Sequence, residues 1–247
     1  MANQVDPRTA WGQVGAEGRA GIAYDAGLRA YMLKIYNYMA SGVLLTGMVS
    51  LLVASNSALF SLFFAPTGSP TILGWAAIFS PLIMVLVMSF GMQRMSASTL
   101  RMLFFSYAAL MGVSMATIFT RYTDASIAQT FFVTAGAFAA LSLWGYTTRR
   151  DLSAFGKFLF IGLIGLVLAL IANIFIQSGP FQLAINIIGV FIFAGLTAWD
   201  TQRLKSLYFQ LEGEEFLGKT VVLGALSLYL NFVNLFQFLL SFLGNRE

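Results

Sequence analysis

The residues best placed to do chemistry are a lone acid and a stripe of amides and hydroxyls. Asp200 closes the uncharged stretch 187–199 (IIGVFIFAGLTAW). A carboxylate there sits at or just inside a membrane boundary. An ionisable group costs about 2.5–3.5 kcal/mol at the bilayer centre on insertion scales, and less near the interface, so it faces a protein interior or a water path and has a partner. Near the C-terminus, Ser227, Asn231, Asn234 and Ser241 are spaced 4, 3 and 7 apart, which puts them on one helical face. Such a stripe avoids lipid. Two readings stay open for it: amide bonding between helices, worth about 0.6 kcal/mol per bond, or the wall of a permeation path. Two also stay open for Asp200: a buried site carboxylate, or an acid that pairs with Arg203 three residues on or caps the next helical segment.

Much other chemistry is excluded. The chain has no Cys and no His, which removes disulfides, thiolate nucleophiles, the usual metal ligands and the usual neutral-pH base. A zinc protease or a Ser-His hydrolase is ruled out, and proton chemistry must rest on carboxylates. There is no G-x-S-x-G motif and no paired intramembrane aspartate. Lys219 lies just outside the last apolar segment, which argues against a retinal protein. The expectation is a protein that is not an enzyme, with no cofactor and no tightly bound metal. One carboxylate gives only a transient calcium site near Asp200, since calcium usually takes six to eight oxygens.

The elements that position these residues are apolar helices. Of 247 residues, 58% are hydrophobic and 10% charged, with mean hydropathy +0.80. A soluble domain carries about 25% charged residues, so this is a polytopic membrane protein. Its net charge of +4 then reads as loop orientation, and no basic patch with interleaved aromatics suggests nucleic acid. The charge-free windows are 35–93, 102–120, 125–148, 158–199 and 220–245. A spanning helix needs about 20 residues. The first window holds two, broken at Pro66, Gly68 and Pro70, and the fourth holds two, broken at Gln177-Ser178-Gly179-Pro180. Seven spans follow, at about 35–55, 72–92, 101–120, 126–146, 156–176, 182–200 and 221–243.

Twelve of the 14 Lys and Arg fall on the side of the N-terminus and the second, fourth and sixth loops; only Arg121 and Arg246 fall on the other. This bias predicts a cytoplasmic N-terminus and an outside C-terminus. Asp200 is then at the cytoplasmic end of the sixth span, where Arg203, Arg94 and Arg101 are candidates to close the mouth by pairing with it. Residues 1–30 lack an apolar signal core and read as a polar, loose cytoplasmic arm, followed by one membrane domain over 31–247. In 201–217 (TQRLKSLYFQLEGEEFL), Leu204, Leu207, Tyr208 and Leu211 recur at helical spacing. That fits either an amphipathic helix lying on the interface or an extension of the sixth span. Gly162, Gly165 and Ala169, and Ala135 and Ala139, form small-residue faces suited to close helix packing.

The stretches 186–205 (NIIGVFIFAGLTAWDTQRLK) and 225–244 (ALSLYLNFVNLFQFLLSFLG) resemble the last two helices of the Bax-inhibitor family, the transmembrane Bax inhibitor motif proteins. The opening of the first span (LRAYMLKIYNYMASGVLLTG) is similar to bacterial members. The resemblance covers essentially the whole membrane region. It implies a seven-helix fold with the seventh helix surrounded by the other six, and a pH-gated calcium leak in which two aspartates share a proton. The first aspartate corresponds to Asp200. The second falls at position 231, where this chain has Asn231. Two close carboxylates titrate as a unit with one pKa raised; an Asp–Asn pair lacks that coupling, so a leak here is expected to depend only weakly on pH near neutrality. The second span (IFSPLIMVLVMSFGM) holds no acid, although some relatives carry one there. The resemblance implies an alternative role as well: a regulator that binds a membrane-bound protease or stress-response partner through the arm and the sixth loop. It also implies a bacterial inner membrane as the location.

Overall fold

The computed structural model describes residues 7–65, 68–210 and 214–245, with backbone alone for 7–25 and 214. Eight α-helices appear among them: α1 (Pro7–Ser55), α2 (Ser57–Phe63), α3 (Ile72–Gly91), α4 (Ala97–Met115), α5 (Asp124–Thr147), α6 (Ser153–Ile176), α7 (Gly179–Tyr208) and α8 (Glu214–Leu243). The protein is all-α. Among the described residues seven helices are long and apolar enough to cross a membrane: Ala26–Ser55, Ile72–Gly91, Ala97–Thr120, Asp124–Thr147, Ser153–Ile176, Gly179–Tyr208 and Glu215–Leu243. These match the seven spans read from the sequence. The polar arm at 1–30 lies mostly outside the residues whose side chains are described.

Helix starts follow local capping chemistry. Side chains of Thr71, Ser96, Thr123 and Ser178 accept bonds from the backbone N–H groups of Gly74, Thr99, Ser126 and Phe181, at 3.1, 3.1, 3.3 and 3.4 Å. Each satisfies an amide that the first helical turn leaves without a partner. Between α6 and α7 the chain reverses through Gln177, whose φ of 51° is left-handed, and Pro180 follows in the first turn of α7, where a missing N–H costs nothing. Pro81 sits inside α3 and leaves the Ala77 carbonyl without its helical donor. The Ser114 hydroxyl of α4 donates to that carbonyl at 2.8 Å, so the break in α3 is turned into a tie between two helices.

Two boundaries differ from the sequence reading. The sixth span continues to Tyr208 as one helix, α7. Of the two readings of 201–217, extension is the correct one, at least as far as Tyr208; 211–213 lie outside the described residues. The reason is packing: Leu204 is buried in the main core, and Leu207 and Tyr208 pack against it. The short α2, which the sequence reading left in a loop, is set by Asn56, whose side chain accepts from Ala58 and Leu59 N–H at 3.0 and 3.1 Å.

α8 is the central element, with 72% of its spanning window buried against at most 44% for any other. Its principal neighbours are α1, α4, α5 and α7, while α3 is seated on α4 and α6 on α7, one layer further out. Tyr229 marks the middle of the core. Its hydroxyl meets the Thr46 hydroxyl at 2.6 Å, and its ring lies edge-on to Tyr107 and Phe104. Exposed Leu, Ile and Phe side chains cover the outer helices, as a hydrocarbon solvent requires. No substantial packing joins α3 to α6 among the described residues, and the gap between them leads to the site.

Candidate functional site

The last two turns of α7 before the charged segment bring Asp200 against α8. Its side chain is 6% exposed. Oδ2 accepts two hydrogen bonds from α8, one from the Ser227 hydroxyl at 2.8 Å and one from the Asn231 amide at 2.7 Å. Ser227 and Asn231 are four residues apart, so a single face of α8 presents both donors. Oδ1 faces Nη2 of Arg203 at 2.8 Å, one helical turn along α7. That contact is ionic rather than a well-aligned hydrogen bond, and Oδ1 is itself closed off from solvent. Arg203 itself is 42% exposed. Its guanidinium lies 4.8 Å over the Trp199 ring and donates weakly to Ser227 at 3.4 Å.

The carboxylate is therefore held by one tethered cation and two neutral donors. Both open readings of Asp200 are present together: the Arg203 pair exists, and the carboxylate is also buried against the polar stripe. Asn234 does not reach Asp200; its amide donates back to the Leu230 carbonyl at 2.8 Å. Arg94 and Arg101 do not reach it either. Arg94 closes the turn after α3 through its backbone, and Arg101 stacks over Tyr38 at 5.5 Å. Among the described residues the ion pair of Asp200 is with Arg203.

The site opens into a cavity of about 640 Å³, within the range of ligand pockets. Asp200, Arg203, Ser227, Asn231 and Asn234 form its polar end; α3 and α6 supply aliphatic walls. Among the described residues Asp200 is the only acid that lines it. At the far end Phe193 and Phe238 stack with centroids 5.8 Å apart and an angle of 24°. Gly189 makes room for them, since a Cβ there would meet the Phe238 ring at 2.7 Å.

A second polar group lies beyond the aromatic pair, and of its members only Ser241 was read from the sequence. The Asn186 amide donates to Ser241 at 2.8 Å, Gln182 donates to Asn186 at 2.9 Å, and Asn173 donates to Gln182 at 2.8 Å. Asn173 also accepts from the Ser178 N–H at 3.1 Å, which ties the chain to the α6–α7 turn. Asn186 is 14 residues from Asp200, about 21 Å along the helix. Ser241 thus serves this cluster and not the Asp200 site. The spacing of Gln182 and Asn186, four apart, was the available signal.

The small-residue faces contribute unevenly. Gly162 makes ordinary contact with Ile192, and nothing lies within 4 Å of a Cβ at Gly165. The tight approach is at Gly145, where a Cβ would run into the Ala198 carbonyl. That closeness of α5 to α7 fixes the helix turn that carries Asp200.

Comparison with known proteins agrees with this architecture. The family model described as inhibitor of apoptosis-promoting Bax1 matches residues 28–247. The inner membrane protein YbhL of Escherichia coli K12 is 47% identical over 224 residues, 90% of this chain and 94% of that protein. An uncharacterised protein of Caulobacter vibrioides is 45% identical over 235 residues, covering 93% and 94% of the two chains. An uncharacterised membrane protein of Streptococcus pyogenes is 38% identical over 225 residues, covering 90% and 96%.

Proposed function

The chain belongs to the Bax inhibitor family, and from that premise we propose that this multi-pass membrane protein is a cation leak pathway, with calcium as its cargo, held closed at Asp200. The observation that carries the reading is the placement of Asp200, a cavity-facing acid buried on α7 against the polar face of the central helix. A passing cation is drawn to that carboxylate. In the closed form the guanidinium of Arg203 takes the cation's place. Beyond it, the Phe193–Phe238 stack separates the cavity from the Asn186–Ser241 cluster. Opening needs both contacts to shift.

Asn231 stands where the resemblance implies a second aspartate. Its amide donates to Asp200 at 2.7 Å, much as a protonated carboxylic acid would. The amide cannot ionise, so the pair stays in the state of a half-protonated dyad and flux through it is nearly flat in pH around neutrality. The protein sits in a bacterial inner membrane with the Asp200 end toward the cytoplasm, as the Lys and Arg bias supports.

Calcium flux into proteoliposomes at pH 6, 7 and 8 tests this. Native protein should conduct at similar rates at all three values. Asp200→Asn should cut the flux at least tenfold. Native flux no greater than that of empty liposomes would end the leak reading and favour the regulatory one, in which the protein acts on a membrane-bound protease partner.

A further inference from the structure

Cations gather at one point on the end of the bundle that carries Asp200. Arg149, Arg150 and Lys157 line a second cavity, of about 460 Å³, where α5 ends and α6 begins against the last turns of α7. Among the described residues none of the three is paired with a carboxylate. Asp151 lines the cavity as well, but its carboxylate accepts from the Ser153 N–H at 2.9 Å and caps that turn. Arg203 reaches the rim and is held by Asp200, so the other three carry the charge. The loop that presents them is tethered. The Gln202 side chain of α7 donates to the Arg150 carbonyl at 2.8 Å and accepts from the Leu152 N–H at 2.8 Å. Gly156 lets α6 start close against Trp199, since a Cβ there would run into the indole ring. An orientation bias asks only for basic residues somewhere in this loop. It does not ask for a fixed loop that sets three of them around one cavity.

We infer that this cavity binds the phosphate headgroup of an anionic phospholipid in the adjoining leaflet. Three unpaired cations and one capped acid favour an anion, and guanidinium forks match phosphate oxygens two at a time. The surroundings name lipid as the source. On α6, Ser153 and Lys157 line the cavity. Phe160, Ile161 and Ile164 continue the same helical face and are exposed. A headgroup seated at Lys157 lays an acyl chain along them, which a free phosphate cannot use. Basic pockets between spanning helices at a membrane surface suit such headgroups. A zwitterionic lipid brings its own ammonium against the three cations and gains less. The inference does not depend on ion passage at Asp200.

The test is native mass spectrometry of the full chain in a neutral detergent. Equal amounts of phosphatidylglycerol and phosphatidylcholine with identical acyl chains are added, and the bound lipid is identified. A cation near an anionic surface is worth about fivefold, so three should give phosphatidylglycerol a preference of about tenfold or more. Arg149→Gln/Arg150→Gln/Lys157→Gln should abolish that preference. The charge-matched variant Arg29→Gln/Lys34→Gln/Arg101→Gln, which removes exposed cations elsewhere, should keep it. Equal binding of the two lipids to native protein would overturn the inference, and so would an equal loss in both variants, which would leave only diffuse attraction to basic loops. Glycerol phosphate in large excess should displace little of the lipid; full displacement would assign the cavity to a free phosphate instead. All six substituted residues are exposed, and the competition on native protein decides without the variants. No calcium is present, so a failure of calcium flux leaves this result standing, and the reverse holds too.

Discussion

Arg203→Gln removes the cation that fills the site in the closed form. The magnitude follows from the geometry. Arg203 is 42% exposed, so its ion pair belongs near the surface range of about 0.2–1 kcal/mol. Its position 4.8 Å over Trp199 adds about 0.5–1 kcal/mol. Asp200 does not become an unpaired buried charge, because Ser227 and Asn231 still donate to Oδ2; the larger penalty of a broken buried pair does not apply. The closed form should lose about 1–2 kcal/mol, a factor of 5–30 in the closed-to-open ratio. Calcium-sensitive dye trapped in proteoliposomes reads this as a five- to thirtyfold faster entry at fixed protein density. Arg203→Lys keeps charge but loses the planar stacking and fork geometry, and should fall between native and Gln. Unchanged rates in both variants, with the protein folded and correctly inserted, would refute the view that Arg203 holds the pathway shut.

Three further outcomes follow from the same geometry. Phe238→Ala removes one half of the aromatic stack and should raise basal flux several-fold, measured in the same liposomes; no change would place the barrier elsewhere. Asn231→Asp sets a second carboxylate within about 3 Å of the first, so the pair titrates as a unit with one pKa raised. Below that raised value a shared proton preserves the contact with Asp200; above it repulsion weakens the closed form, so flux should climb from pH 6 to pH 8. A flat profile would show that position 231 does not set pH dependence. Asp151 does not supply such a response: the hydrogen bonds from Ser153 hold its carboxyl below the ordinary 3.8, so it stays ionised across that range. Gly145→Val forces α5 away from the Ala198 carbonyl and should destabilise the protein by about 1–3 kcal/mol, seen as a lower melting temperature in detergent, whereas Gly165→Ala, with open space around its Cβ, should melt like the native chain.

What the sequence could disclose was governed by how far each signal reaches along the chain. Span number came from the scarcity of charge, since a hydrocarbon solvent forbids it over about 20 residues and marks every gap. The polar stripe of α8 came from a fixed helical period, and Asp200 stood out because it ends a window without charge. Partners across helices are a different matter. Ser227 and Asn231 were legible as a face, but their convergence on one oxygen depends on the depth at which α7 meets α8, and that depth rests on the close approaches of Gly189 to Phe238 and of Gly224 to Leu204, pairs far apart in the chain. The glycines that the periodic reading favoured, at 162 and 165, face looser surroundings. Arg94 and Arg101 illustrate the same limit: the charge bias places them on the membrane side of Asp200, but not within its reach.

The uncovered face of α8 carries the argument furthest. A central helix in a closed bundle would gain most by burying every polar group against a neighbour, as Tyr229 does with Thr46. Here Ser227, Asn234 and the edge of Asp200 look instead into a cavity that two outer helices leave open. α3 and α6 each lean on one main partner, so their separation is adjustable at the expense of few contacts. Moving α3 toward α6 would cover the polar face and shut the cavity from the bilayer; moving them apart would expose the face further and loosen the Phe193–Phe238 stack that ends it. The same gap thus links the spacing of α3 and α6 to the state of the aromatic barrier, and a crosslink that holds the two helices together should slow calcium entry through the native protein.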